Sequence, residues 1–241
     1  MPKTSPSAAG KAPTDALVAE LGRVFGTGLR SVVLYGSAAG GEHITGRSDH
    51  NVLVLVESVS AERLRAAGAA LRAWRKAGHP APEMMTVAEW RTSADTFAME
   101  YADVLERHRV LFGESPFDGI VVRPADLRAQ AEHQALAQLL RLRQRVMSEA
   151  EPLELLSGSL SSVMVVFRAV ERLHGAVPPA DNEALVRAVA TRVGFDPAPF
   201  VRVVEHVRST RPLAATDAAG VLDGYMVGID RVVAHVDRLP V

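Results

Sequence analysis

Two short apolar runs, at 29–35 and 51–56, constrain this chain more than any other feature. Both place valine and leucine at successive positions, as expected of strands covered on both faces. The first run breaks at Gly36-Ser37, and the second opens directly after Ser48-Asp49-His50. The glycine-containing connector between them fits no regular element.

The pattern around these strands is layered. A helix is expected from about Asp15, with Leu17, Val18, Leu21 and Val24 on one face, Thr14 as its cap and Gly26-Thr27-Gly28 as its stop. Ser60 caps a second helix, in which Leu64, Ala67, Leu71 and Trp74 recur at helical spacing. Met84-Met85 reads as a strand. Thr86 and Glu89 then have the spacing of a capping box opening a short helix. Phe97–Tyr101 reads as a further strand, and Arg109–Phe112 as another, ended by Gly113. Strands alternating with helices indicate an α/β (α+β) layer structure with a mixed sheet. After Pro124 the texture changes. Helical periodicity fills 125–149, 153–174, 182–193, 198–209 and 217–238, the pattern of an all-α helical bundle. The expected organisation is a flexible tail over 1–13, an α/β domain over 14–122 and a helical bundle domain over 123–241.

Composition removes several function classes. The chain has 241 residues and a formal net charge of −1, so a broad basic nucleic-acid-binding surface is not expected. It has no cysteine, hence no disulfide framework and no thiolate nucleophile or zinc site. No apolar run suggests a membrane span, and residues 1–14 lack the apolar core of a secretory signal. A cytoplasmic protein is the plain expectation.

The chemistry-bearing residues cluster at the ends of the two strands. Gly36 suits a sharp turn or a backbone passing close to a phosphate. Ser37 adds a hydroxyl beside exposed backbone N–H groups. Asp49 offers a hard oxygen donor of the kind magnesium prefers. Asp49 and Asn51 share a face by the period of two, and His50 points to the other. This stretch, VVLYGSAAGGEHITGRSDHNVLVLVE, resembles the signature of the nucleotidyltransferase superfamily, the polymerase-beta-like fold that also includes antibiotic nucleotidyltransferases. The resemblance covers about residues 29–113.

The resemblance implies that Gly36 and Ser37 cradle the phosphates of a nucleoside triphosphate and that Asp49 holds Mg2+. The position of the family's second metal-binding aspartate is taken by Asn51, whose amide oxygen can coordinate a cation but brings no charge. A third carboxylate is expected from a neighbouring strand. Glu100 is the first choice, opposite the Phe97, Met99 and Tyr101 face of its expected strand; Asp103 is second and Glu83 third. The metal set implied is therefore Asp49, Asn51 and Glu100, with Asp49 and Glu100 also catalytic. The expected function is nucleotidyl transfer to a small-molecule or protein acceptor, weakened by Asn51. The alternative is a non-catalytic nucleotide- or small-molecule-binding or protein-interaction module on the same fold. Elsewhere, His108 between Arg107 and Arg109 reads as a solvated turn, and Glu171 with His174 as an ordinary helical pair.

Overall fold

The computed structural model describes residues 8–39 and 50–240 and divides into two compact units, Met1–Val122 and Arg123–Val241. Unit 1 runs α1 (Ala8–Phe25), β1 (Leu29–Tyr35), a 3-10 turn (Gly36–Ala38), β2 (Asn51–Val56), α2 (Ala61–Ala70), α3 (Arg72–Lys76), β3 (Glu83–Thr86), α4 (Val87–Thr92), α5 (Ala98–Glu106) and β4 (His108–Gly113). Its four-stranded sheet has the order β3-β2-β1-β4. β1 is antiparallel to β2 and β4, and β2 is parallel to β3. The sheet is therefore mixed, as the layered pattern implied.

Both faces of β1 and β2 are covered. Val32, Leu34, Val52, Val54 and Val56 pack on Leu17, Leu21 and Phe25 of α1 and on Ala67 and Trp74. Val33, Leu53 and Leu55 pack instead on Trp90 of α4 and on Tyr101 and Val104 of α5. Burying one such side chain contributes about 1.5–3 kcal/mol relative to leaving it in water. Local signals fix the helix starts. Ser60 accepts a hydrogen bond from the Arg63 amide. Thr86 and Glu89 form a reciprocal capping box, the Glu89 amide donating to Oγ1 and the Thr86 amide to the Glu89 carboxylate.

Three local expectations change. Phe97–Tyr101 is not a strand: α5 begins at Ala98 and carries Glu100 on helix. Ala98, Met99, Tyr101 and Val104 are buried at helical spacing, so the alternation seen over five residues was one side of a helical stripe. α1 begins at Ala8, within the stretch expected to be a tail and ahead of Thr14. The helix expected over Leu64–Trp74 is divided at Leu71 into α2 and α3.

Unit 2 comprises α6 (Pro124–Met147), α7 (Pro152–Leu173), α8 (Asn182–Val193), α9 (Ala198–Val207) and α10 (Ala215–Asp237). Proline stands in the first turn of α6 and α7, where its missing N–H is not needed. Asp181 caps α8 by accepting from the Ala184 amide. α7 is the core helix, with Leu155, Leu156, Leu160, Val163, Phe167 and Val170 buried. Among the described residues it alone is long and apolar enough to cross a membrane, and 56% of its apolar window is buried among its neighbours. Gly228 of α10 is essential to the packing. A Cβ there would lie 2.3 Å from the Phe200 ring, so glycine lets α9 and α10 close together.

Candidate functional site

The site face of the sheet follows from register. Tyr35 at the end of β1 is opposite Asn51 at the start of β2. Leu53, two residues further along β2, is opposite Glu83 at the start of β3. Residues opposite one another share a face, so Tyr35, Asn51 and Glu83 all lie on the side covered by α4 and α5. His108 of β4 is opposite Tyr35 on the remaining flank. Its Nδ1 lies 2.8 Å from the Val104 carbonyl and its ring packs on Phe117, so it opens a strand rather than a turn, while remaining exposed.

Gly36 sits at the head of this arrangement with φ +76°, a backbone region that strongly favours glycine. A Cβ there would come 3.5 Å from Nδ2 of Asn51. The glycine turn and the asparagine side chain are thus close neighbours. The Gly36 amide donates to the Arg107 carbonyl at 3.0 Å, which fixes the turn against the junction of α5 and β4. Ser37 lies inside the 3-10 turn. Asp49 lies outside the described residues.

Tyr35 was missed as a site residue by the sequence reasoning, which treated it only as the end of a strand. Its phenol hydrogen-bonds the Glu83 carboxylate, and it also feels the charges of Glu100 and Asp103. Burial first, then these carboxylates, push the phenol far above its ordinary range, so it stays protonated and donates. β1 and β3 flank β2, about 9–10 Å apart. The tyrosine side chain therefore reaches across β2 to meet the glutamate. All three carboxylates named as alternatives come near one hydroxyl. Glu83 is the one that lies on a strand beside β2, whereas Glu100 and Asp103 project from α5. The signal for Glu83 was present in the sequence only as a lone acid before Met84-Met85.

His50 takes the opposite face. It is buried, with its ring edge-on to Trp74 and to His79. Arg109, opposite Leu34, belongs to that same face and keeps a buried Nε with no hydrogen-bond partner.

Hard oxygen donors and a positive-φ glycine beside Asn51 suit a cation and phosphate oxygens. Among the described residues, however, no three acidic or histidine side chains converge closely enough to hold a metal by themselves. Asn51 and Glu83 offer oxygen donors of the kind a divalent ion takes, and Asp49, two residues before Asn51, is outside the described residues.

No family model matches the chain, and no curated protein matches it. Among solved structures it is similar to the spectinomycin adenyltransferase AAD(9) from Enterococcus faecialis, crystallised with ATP and spectinomycin. The TM-score is 0.64 at 12% identity, over 92% of this chain and 98% of the other. At that identity the likeness establishes the fold. The chain has the nucleotidyltransferase mixed sheet followed by a helical region.

Proposed function

We propose that the chain binds a nucleoside triphosphate at the Gly36–Ser37 turn and transfers its nucleoside monophosphate to a hydroxyl of a small polar acceptor. The observation that carries this reading is the meeting of the turn with Asn51 on the face that also holds Tyr35 and Glu83. The likeness in fold to an adenyltransferase solved with ATP and an aminocyclitol antibiotic supports it.

The Gly36 amide is engaged by the Arg107 carbonyl and the Ala39 amide by the Gly36 carbonyl, so Ser37 and Ala38 are the residues whose N–H groups would meet the phosphates. Asp49 and Asn51 are the residues that would hold a divalent ion, with Glu100 or Asp103 extending the set from α5. Bound there, the ion would draw charge from the phosphates and favour in-line attack. Glu83, oriented by the Tyr35 hydroxyl, accepts the proton of the incoming acceptor hydroxyl. The acceptor oxygen bonds to the α-phosphorus as the bond to pyrophosphate breaks, and pyrophosphate leaves with that electron pair.

Asn51 sets the rate. An amide in place of a carboxylate removes one unit of negative charge from the position beside the glycine turn. A loss of about 3–4 kcal/mol of transition-state stabilisation slows turnover by two to three powers of ten. The proposal is therefore a slow transferase.

The test uses an α-labelled nucleoside triphosphate with Mg2+ or Mn2+ and spectinomycin or related aminocyclitols as acceptors. Labelled product that disappears in Glu83→Gln and increases in Asn51→Asp supports the proposal. Tight nucleotide binding without label transfer in either wild type or Asn51→Asp sinks it in favour of a binding module.

A further inference from the structure

Unit 2 contains a second place where charged side chains surround open volume, remote in sequence from the residues assigned above. Arg231 and His235 on α10 and Arg238 at its C-cap are spaced i, i+4, i+7, so they form one stripe along the end of the helix. All three line a cavity of about 410 Å³, whose apolar wall comes from Val193, Ala234 and Leu239. His174, at the end of α7, places its Nε2 2.9 Å from Nε2 of His235. Two nitrogens at that distance share one proton, which makes the imidazole pair a polar edge to the cavity.

Among the described residues the charge of this place is uncompensated. Its one acid, Asp230, is already 3.1 Å from the Arg143 guanidinium. Among the described residues neither Arg231 nor Arg238 takes part in an ion pair. Two guanidinium groups therefore face open volume with no anion among the described residues to meet them. Guanidinium forks match phosphate oxygens in both geometry and charge. The volume lies at the small end of the roughly 300–1,000 Å³ common for ligand sites, which suits one phosphate with a short carbon skeleton rather than a polymer backbone.

We infer that this cavity binds a small phosphomonoester, its phosphate held between Arg231 and Arg238 and its carbon skeleton against Val193, Ala234 and Leu239. The inference is independent of nucleotidyl transfer, since no residue of unit 1 enters it. His174 and His235 stand as reporters at its edge.

The full chain is titrated with inorganic phosphate and with glycerol 3-phosphate while the imidazole signals of His174 and His235 are followed by NMR. Saturable shifts of both signals are expected, with tighter binding of glycerol 3-phosphate. Arg231→Ala and Arg238→Ala should each weaken binding about tenfold or more, while Arg231→Lys loses less. Both arginines are exposed, so these variants should melt with the wild type. Shifts that follow ionic strength alone, as an equal concentration of chloride would produce, overturn the inference. So does phosphate affinity unchanged in the Arg231→Ala, Arg238→Ala double variant.

Discussion

The two faces of the sheet in unit 1 are built from the same strands and nearly the same residue types, yet they end differently. On one face, Val32, Leu34, Val52 and Val54 are roofed by α1, α2 and α3, and the roof brings Trp74 and His79 over His50. On the other, Val33, Leu53 and Leu55 are roofed by α4 and α5, and α5 brings Glu100 and Asp103 toward Tyr35. The strands position both ends equally well. The covering helix decides whether a strand end becomes packed interior or a place where carboxylates gather. The two ends differ in the helices that cover them, and the sheet supplies the register.

The largest effect that would sharpen this contrast is Trp74→Ala on the closed face. Trp74 is 5% exposed, and its Nε1 donates to the Pro80 carbonyl at 2.7 Å. Denaturant unfolding should show a loss of about 3–5 kcal/mol. Turnover per folded molecule should hold. Glu83→Gln on the open face should do the reverse. Label transfer should fall by about two to three powers of ten, the size expected for a lost proton acceptor, with little change in the unfolding midpoint. If both variants lower stability alike and leave transfer untouched, the two faces do not differ in function.

Asn51→Asp comes next. Restoring a carboxylate beside the glycine turn should raise turnover about tenfold or more and increase its dependence on Mg2+, read from initial rates against metal concentration. Gly36→Ala is smaller. With φ +76° and Asn51 Nδ2 3.5 Å from the new Cβ, the strain rather than the contact dominates. A cost of about 1 kcal/mol is expected by thermal melting, with weaker nucleotide binding. The smallest effect lies in unit 2, as a control on both faces. Burial first, and the neighbouring His174 second, hold the His235 imidazole below its ordinary range. The unfolded chain takes up a proton near pH 6.5 while the folded chain still resists it. Stability should therefore fall as pH drops through about 6.5, and His235→Gln should flatten that slope in pH-dependent melting.

The sequence was most informative where a single local interaction decides the outcome. The runs at 29–35 and 51–56, the Thr86–Glu89 capping box and the Ser60 cap depend on neighbours a few residues away, and each appears where its pattern placed it. The bundle helices follow their periodicity for the same reason. The stretch from Phe97 to Tyr101 failed because five residues hold too little of either period to separate strand from helix. That error drew attention to Glu100 as a strand acid. Glu83 carried less signal, because its placement depends on the parallel pairing of β3 with β2, a contact across thirty residues that no local pattern reports. The partnership of Tyr35 with Glu83 is non-local in the same way and could not be read before the register was known.

The hydrogen bond from the Gly36 amide to the Arg107 carbonyl joins two parts that would otherwise be free to adjust separately. Arg107 ends α5, so the helix bearing Glu100 and Asp103 is tied to the same peptide that turns toward Asn51. A shift of α5 would pull on the glycine turn through this link, and a turn drawn tight would pull α5 inward. Movement at one end would then be felt mechanically at the other, with no need for a separate hinge.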